Sequence, residues 1–126
     1  MKEIEIISYG VVKMKKKTDK SKKILEGRDL TFNLEFIRCP SGFDLRNVNG
    51  LMRNFQNSLF SNPEINAKLH NTYNKILEFV NQTDKQKIKI AFVCKNGKHR
   101  SVAFSERIFE MLAKNTDHNT QIFHYI

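Results

Sequence analysis

A single α/β domain, a mixed sheet with flanking helices, is predicted from three features that occur together. Short runs of strand character recur at residues 3–9, 30–37, 88–93 and 120–126. Between them lie stretches whose apolar residues fall at helical spacing. The run at 88–93 then passes through a glycine-containing loop directly into a further helix. That order requires at least one parallel crossover. With 126 residues, 40% of them hydrophobic, the chain is long enough to bury roughly two-thirds of its unfolded surface around one core, and residues 1–126 are read as one domain.

The first strand, residues 3–9 (EIEIISY), alternates β-branched and polar side chains before Gly10. Residues 30–37 (LTFNLEFI) alternate again, with Leu30, Phe32, Leu34 and Phe36 on one face, and Pro40 and Gly42 end the run. A helix entered through Asn49 and Gly50 is expected over residues 47–60, with Leu51, Phe55 and Leu59 at i, i+4 and i+8. The stripe Leu69, Tyr73, Ile76, Leu77 and Val80 marks a second helix over 66–80, with Pro63 and Glu64 as start signals. Residues 88–93 (IKIAFV) are nearly continuously apolar, as a strand buried on both faces must be. Val102, Ile108, Phe109 and Leu112 give a helix over 101–114, and TQIFHYI closes the chain as a last strand.

Charge is unevenly distributed. The formal net charge is +9, and residues 13–23 (KMKKKTDKSKK) hold seven lysines against one aspartate, six of those nine charges. A block that repels itself and has almost no apolar residues is expected to be a mobile, solvated loop. Its electrostatic alternative is attraction of RNA phosphates through Lys15, Lys16 and Lys17. No apolar run of 18 residues and no secretory leader pattern occur, so the expectation is a cytoplasmic protein without a membrane partner. The two cysteines, Cys39 and Cys94, form no metal-spaced set, and neither a metal nor a cofactor is expected.

The chemistry is concentrated in residues 94–101, CKNGKHRS. A strand that enters a helix through such a loop gathers unpaired backbone N–H groups and the positive end of the helix dipole at one point, where a phosphate fits. Gly97 lets the backbone approach an oxyanion, Lys95 and Lys98 add charge beside Asn96, and His99 can touch the ligand. Arg100 offers a two-pronged donor and Ser101 a hydroxyl. Cys94 and Arg100 also have the Cys-x5-Arg spacing of cysteine-dependent phosphatases, which place a thiolate beneath the phosphate. Plainer roles fit the same residues: an inert buried thiol at Cys94, a carbonyl-bonded His99, solvated lysines.

The loop and helix CKNGKHRSVAFSERIFEML resemble the C-terminal domain of the RapZ family of bacterial RNase adapters, with its pattern C-T-G-G-x-H-R-S-V. Other blocks agree in order. Ser8-Tyr9-Gly10 resembles the family's S-[FY]-G, and the segment Asn33-Leu34-Glu35-Phe36-Ile37, followed by Pro40, its D-V-R-F-L. Leu45 to Leu51 resembles L-R-x-x-T-G-L, and His124 stands where the domain has a late histidine. The resemblance implies a pocket for glucosamine-6-phosphate built from the Cys94 loop and the segments of Ser8 and Asn33, and contacts with small RNAs and an endoribonuclease. Asn33 replaces an aspartate, Ser41 falls near a usual histidine, and Lys95-Asn96 replace Thr-Gly, changes that make the pocket more cationic and suit a more highly charged ligand. The family's nucleotide-binding N-terminal domain has no counterpart in these residues, which lack GxxxxGK[ST], so the likeness is to a C-terminal domain standing alone.

The leading expectation is thus a non-catalytic binder of a phosphate-containing small molecule, such as a phosphosugar, through Ser8, Asn33 and residues 94–101, with RNA or a protein as a further partner and a homodimer as a candidate assembly. The alternatives are a Cys94 phosphatase and a plain basic RNA-binding module. If the lysine block attracts RNA, affinity falls linearly in log salt and drops in the Lys15→Ala, Lys16→Ala, Lys17→Ala triple variant irrespective of RNA sequence. Filter binding at several salt concentrations reads this, and unchanged affinity leaves the block a solvated loop.

Overall fold

The computed structural model describes residues 1–14, 23 and 25–125, with the backbone alone described at 13 and 14. Lys15, Lys16 and Lys17 and most of the expected mobile loop at 13–23 lie outside the described residues. Four strands, β1 (Glu3–Gly10), β2 (Leu30–Asn33), β3 (Lys87–Cys94) and β4 (Asn119–His124), form one sheet in the order β2-β3-β1-β4. The α/β class is the expected one. The sheet, expected to be mixed, is parallel at all three pairings.

Parallel pairing follows from the connections. Between β2 and β3 run α2 (Arg53–Phe60) and α3 (Pro63–Gln82), and between β3 and β4 runs α4 (Arg100–Asn115). A helical crossover returns the chain to the same end of the sheet, so successive strands point the same way. All four strand ends, Gly10, Asn33, Cys94 and His124, therefore lie along one edge, the edge at which open parallel sheets form their binding crevices.

One face of the sheet carries the main core, where Ile4, Ile6, Ile88, Ile90 and Phe92 meet Phe55, Ile76, Phe104 and Ile108 of the helices, all at most 2% exposed. A smaller cluster of Tyr9, Ala91 and Val93 lies on the other face. Strand β3 is buried from Ile90 to Cys94 because it has neighbours on both sides and layers on both faces.

Three boundaries differ from the sequence pattern for local reasons. Strand β2 stops at Asn33 rather than residue 37. The Asn33 side chain accepts the Glu35 backbone N–H at 2.9 Å, and Ile37 N–H donates to the Leu34 carbonyl at 3.1 Å, which folds residues 34–37 into a turn. Helix α2 begins at Arg53, not 47, because Asp44 and Asn49 accept backbone N–H groups and hold residues 44–51 in turns. Helix α3 starts earlier than its apolar stripe. Asn62 caps it by accepting from the Glu64 and Ile65 N–H groups, with Pro63 as its first residue. A four-residue helical turn, α1 (Val11–Met14), follows β1 without a sequence signal.

Two glycines fix the loop after β3 by leaving no room for a side chain. A Cβ on Gly10 would lie 2.3 Å from the Asn96 carbonyl carbon and 2.5 Å from Gly97 N. A Cβ on Gly50 would lie 2.3 Å from His99 O and 2.5 Å from Ala103 N, while Gly50 N–H donates to Lys98 O at 2.8 Å. Because the obstructing atoms are backbone, Gly50→Ala should cost about 1–3 kcal/mol, the range of overpacked substitutions. Urea unfolding should show a lower midpoint with an unchanged m-value.

Candidate functional site

The loop from Cys94 to Arg100 turns back on itself through Gly97, which has φ +72°, a conformation that costs glycine nothing and other residues a strained Cβ. The turn brings the Gly97 N–H to 3.3 Å from Cys94 Sγ and the Ser101 hydroxyl to 3.1 Å. The sulfur is 1% exposed as part of Cys94, and Ser101 is fully buried. Burial by itself pushes the Cys94 thiol up. Hydrogen bonds from the Ser101 hydroxyl, the Ser101 amide and the Gly97 amide, together with the Arg100 charge, outweigh it and hold the thiol below its ordinary value.

Helix α4 opens at this loop with neither a side-chain cap at His99 nor an acid in its first turn, whereas α3 has both Asn62 and Glu64. Its first N–H groups and positive dipole end are left to the loop. Arg100 is held in a defined way. Nη1 donates to the carbonyls of Glu35 (2.6 Å) and Ile37 (2.8 Å), with Leu34 O at 3.5 Å, so β2's terminal turn grips one corner of the guanidinium. Nε is buried and has no hydrogen-bond partner among the described residues. An unpaired buried donor on a charged group is costly, and an acceptor at that edge would remove the cost.

The remaining sequence-derived residues have assorted surroundings. His99 Nε2 lies 2.8 Å from both Leu45 O and Val48 O, and since carbonyls only accept, that nitrogen carries a hydrogen. The ring thus ties the 44–51 turns to the loop. Lys98 Nζ donates to Arg46 O at 2.7 Å. Lys95 and Asn96 are exposed. Asn33, also exposed, sends its amide nitrogen to Glu35 Oε1 at 3.2 Å. Ser8 is fully buried at the end of β1, its hydroxyl 2.6 Å from His124 Nδ1, while His124 Nε2 lies 2.7 Å from Glu106 Oε1 of α4. In the neutral ring Nε2–H donates to Glu106 and Nδ1 accepts the Ser8 hydroxyl.

The structure thus brings Cys94, Gly97, Arg100 and Ser101 together, and joins Ser8 to a different set. Sequence reasoning missed Glu106, whose only signal was its place one helical turn beyond Val102. It also missed the carbonyls of Leu34, Glu35 and Ile37, which no side-chain pattern announces. Among the described residues, no three His, Cys, Asp or Glu side chains gather as a metal set, and no helix is long and apolar enough to cross a membrane.

A parallel α/β domain whose central strand enters a helix through a glycine-turned loop, with a thiol and an arginine around the loop, is the class that these features define. Residues 2–125 match the family model for the RapZ C-terminal domain, and the chain belongs to that family. No curated protein matches the chain closely enough to count as a relative.

The thiol's surroundings predict its reactivity. Alkylation of Cys94 by iodoacetamide, followed by mass spectrometry across pH, should show a midpoint below that of an ordinary cysteine, because the thiolate is the attacking form. Ser101→Ala removes a hydrogen bond to the sulfur and should move the midpoint upward.

Proposed function

We propose that this domain binds a phosphate monoester of the phosphosugar kind in the loop of residues 94–101, without catalysing its cleavage. The observation that carries the reading is Arg100: one corner fixed by backbone carbonyls, and a buried Nε without a partner. The uncapped start of α4 and the Gly97 turn supply N–H groups and dipole on the same side of the fold. Lys95 adds an exposed charge at the rim. An oxyanion in this loop accepts from the amides and from the free edge of Arg100, which relieves the unpaired donor.

A second reading, a Cys94-dependent phosphatase, is favoured by the lowered thiol and its hydrogen bonds to Gly97 and Ser101. Such an enzyme also needs a protonated acid for the leaving alcohol. Asn33 is an amide, Asp44 is bonded to Arg46 and Asn47, and the exposed Glu35 side chain is turned onto Asn33, so none of these three is poised for that step. RNA contact through the lysine block and a cytoplasmic setting remain part of the proposal.

Calorimetric titration with inorganic phosphate and with glucosamine-6-phosphate tests the binding. Arg100→Ala should weaken it by about 1.5–3 kcal/mol, the worth of a hydrogen bond to a charged group. Incubation with p-nitrophenyl phosphate should release no more product than the Cys94→Ser variant does. Release that depends on Cys94 would establish the phosphatase in place of the binder.

A further inference from the structure

Helix α4 begins with Arg100 and Ser101, so its place on the sheet is also a property of the candidate site. Its inner face is apolar, with Val102, Phe104, Ile108 and Leu112 fully buried. Apolar burial is non-directional and by itself tolerates a small slide or rotation of the helix. Hydrogen bonds are directional and do not. Two side chains of α4 bond to groups at the carboxyl ends of strands: Ser101 to the Cys94 sulfur of β3, and Glu106 to His124 of β4. Five residues separate them, about 7.5 Å along the axis and about 140° around it, so they pin the helix on two flanks and fix both its slide and its rotation.

Ser8 completes the second pin. Strand β1 lies between β3 and β4, and its register sets Ser8 beside His124. The Ser8 hydroxyl holds Nδ1 at 2.6 Å while Nε2–H donates to Glu106 at 2.7 Å, so the imidazole is fixed at both nitrogens. The chain is largely enclosed: Ser8 is fully buried, and the His124 and Glu106 side chains are 12% and 22% exposed. Water competes weakly there, and a bond to a carboxylate is stronger than a neutral one. Two residues beyond Ser8, Gly10 packs against Asn96 and Gly97 of the loop. That steric contact limits how closely the loop approaches, but only an attraction holds it there.

We infer that Ser8, His124 and Glu106 are positioning residues of the loop site: they touch no ligand, and they set α4 on the sheet so that the Ser101 hydroxyl meets the Cys94 sulfur and Arg100 faces the loop. Ser8, expected from the sequence to contact the ligand, thus acts from behind the site through His124 and Glu106. What the inference says of ligand affinity rests on the phosphate reading of the loop; what it says of the sulfur does not.

Three variants of the whole chain, Glu106→Ala, Glu106→Gln and Ser8→Ala, separate position from charge and from stability, with the pH midpoint of Cys94 alkylation as the readout. Charge and position act with opposite signs. A carboxylate opposes thiolate formation, so loss of its charge alone lowers the midpoint, whereas loss of the pin withdraws the Ser101 hydroxyl from the sulfur and raises it. Glu106→Ala and Ser8→Ala should raise the midpoint by roughly 0.4 to 1 pH unit, the effect of one hydrogen bond. Glu106→Gln keeps an oxygen for Nε2–H and should leave the midpoint at or below the wild-type value. Inorganic phosphate affinity, measured by calorimetry, should fall about 10-fold in the two alanine variants and hold in Glu106→Gln, as when outer partners of a bound ion are removed. If Glu106→Ala fails to fold, Ser8→Ala against Glu106→Gln carries the same contrast. Equal midpoints in Glu106→Ala and Glu106→Gln overturn the inference, and so does an unchanged midpoint in either alanine variant, even one with a lower urea midpoint, which marks a chain that serves stability alone. Failure of the loop reading looks different: inorganic phosphate does not bind the wild type, while the shifts at Cys94 remain and uphold the positioning role.

Discussion

The close approach of backbone to backbone at Gly10 and Gly50 is the constraint on which the candidate site depends. Gly10 ends the central strand β1 with its Cα against Asn96 and Gly97, and Gly50 presses on the first turn of α4 between His99 and Ala103. The loop is thereby clamped from two sides by segments far from it in sequence. Neither contact contributes much apolar area. Each excludes a side chain, and a packed interior transmits such exclusion as a fixed position rather than a soft preference. With the loop fixed, the Gly97 amide and the Ser101 hydroxyl have no choice but to face the Cys94 sulfur.

Polar groups then divide into two sets along the carboxyl edge of the sheet. Around the loop, the Gly97 and Ser101 amides and the Ser101 hydroxyl share one sulfur atom as acceptor, with the Arg100 charge nearby. These donors lower the thiol, while Arg100 Nε is left without a partner among the described residues. The second set is balanced. Ser8, His124 and Glu106 pass hydrogen bonds from β1 through β4 to α4, each group satisfied by the next. A satisfied, partly buried chain of this kind rigidifies the elements that it joins. Here those elements include the helix that carries the loop.

Much of this was legible in the chain. The periods of two and of 3.6 marked the four strands and the three longer helices, and the fully apolar run before Cys94 marked the central strand β3. The glycine turn and the Arg-Ser helix start marked the loop itself. The ends of elements were less legible. Strand β2 is cut at Asn33 by that residue's own side chain, and the helix expected from 47 begins only at Arg53, because capped turns compete locally with regular structure. His99 was legible as a loop residue, but its two carbonyl partners at Leu45 and Val48 were not.

By itself the sequence determined the α/β class, the strand-loop-helix unit and the membership of its motifs in one family, because these depend on local period, turn chemistry and spacing. Only the tertiary structure decided the all-parallel order β2-β3-β1-β4, the pairing of Ser8 with His124 and Glu106, and the grip of three carbonyls on Arg100. Those depend on which groups, backbone and side chain, meet across 18 to 116 residues of chain. A carbonyl is the same at every position, so no residue type records in advance which one will be used.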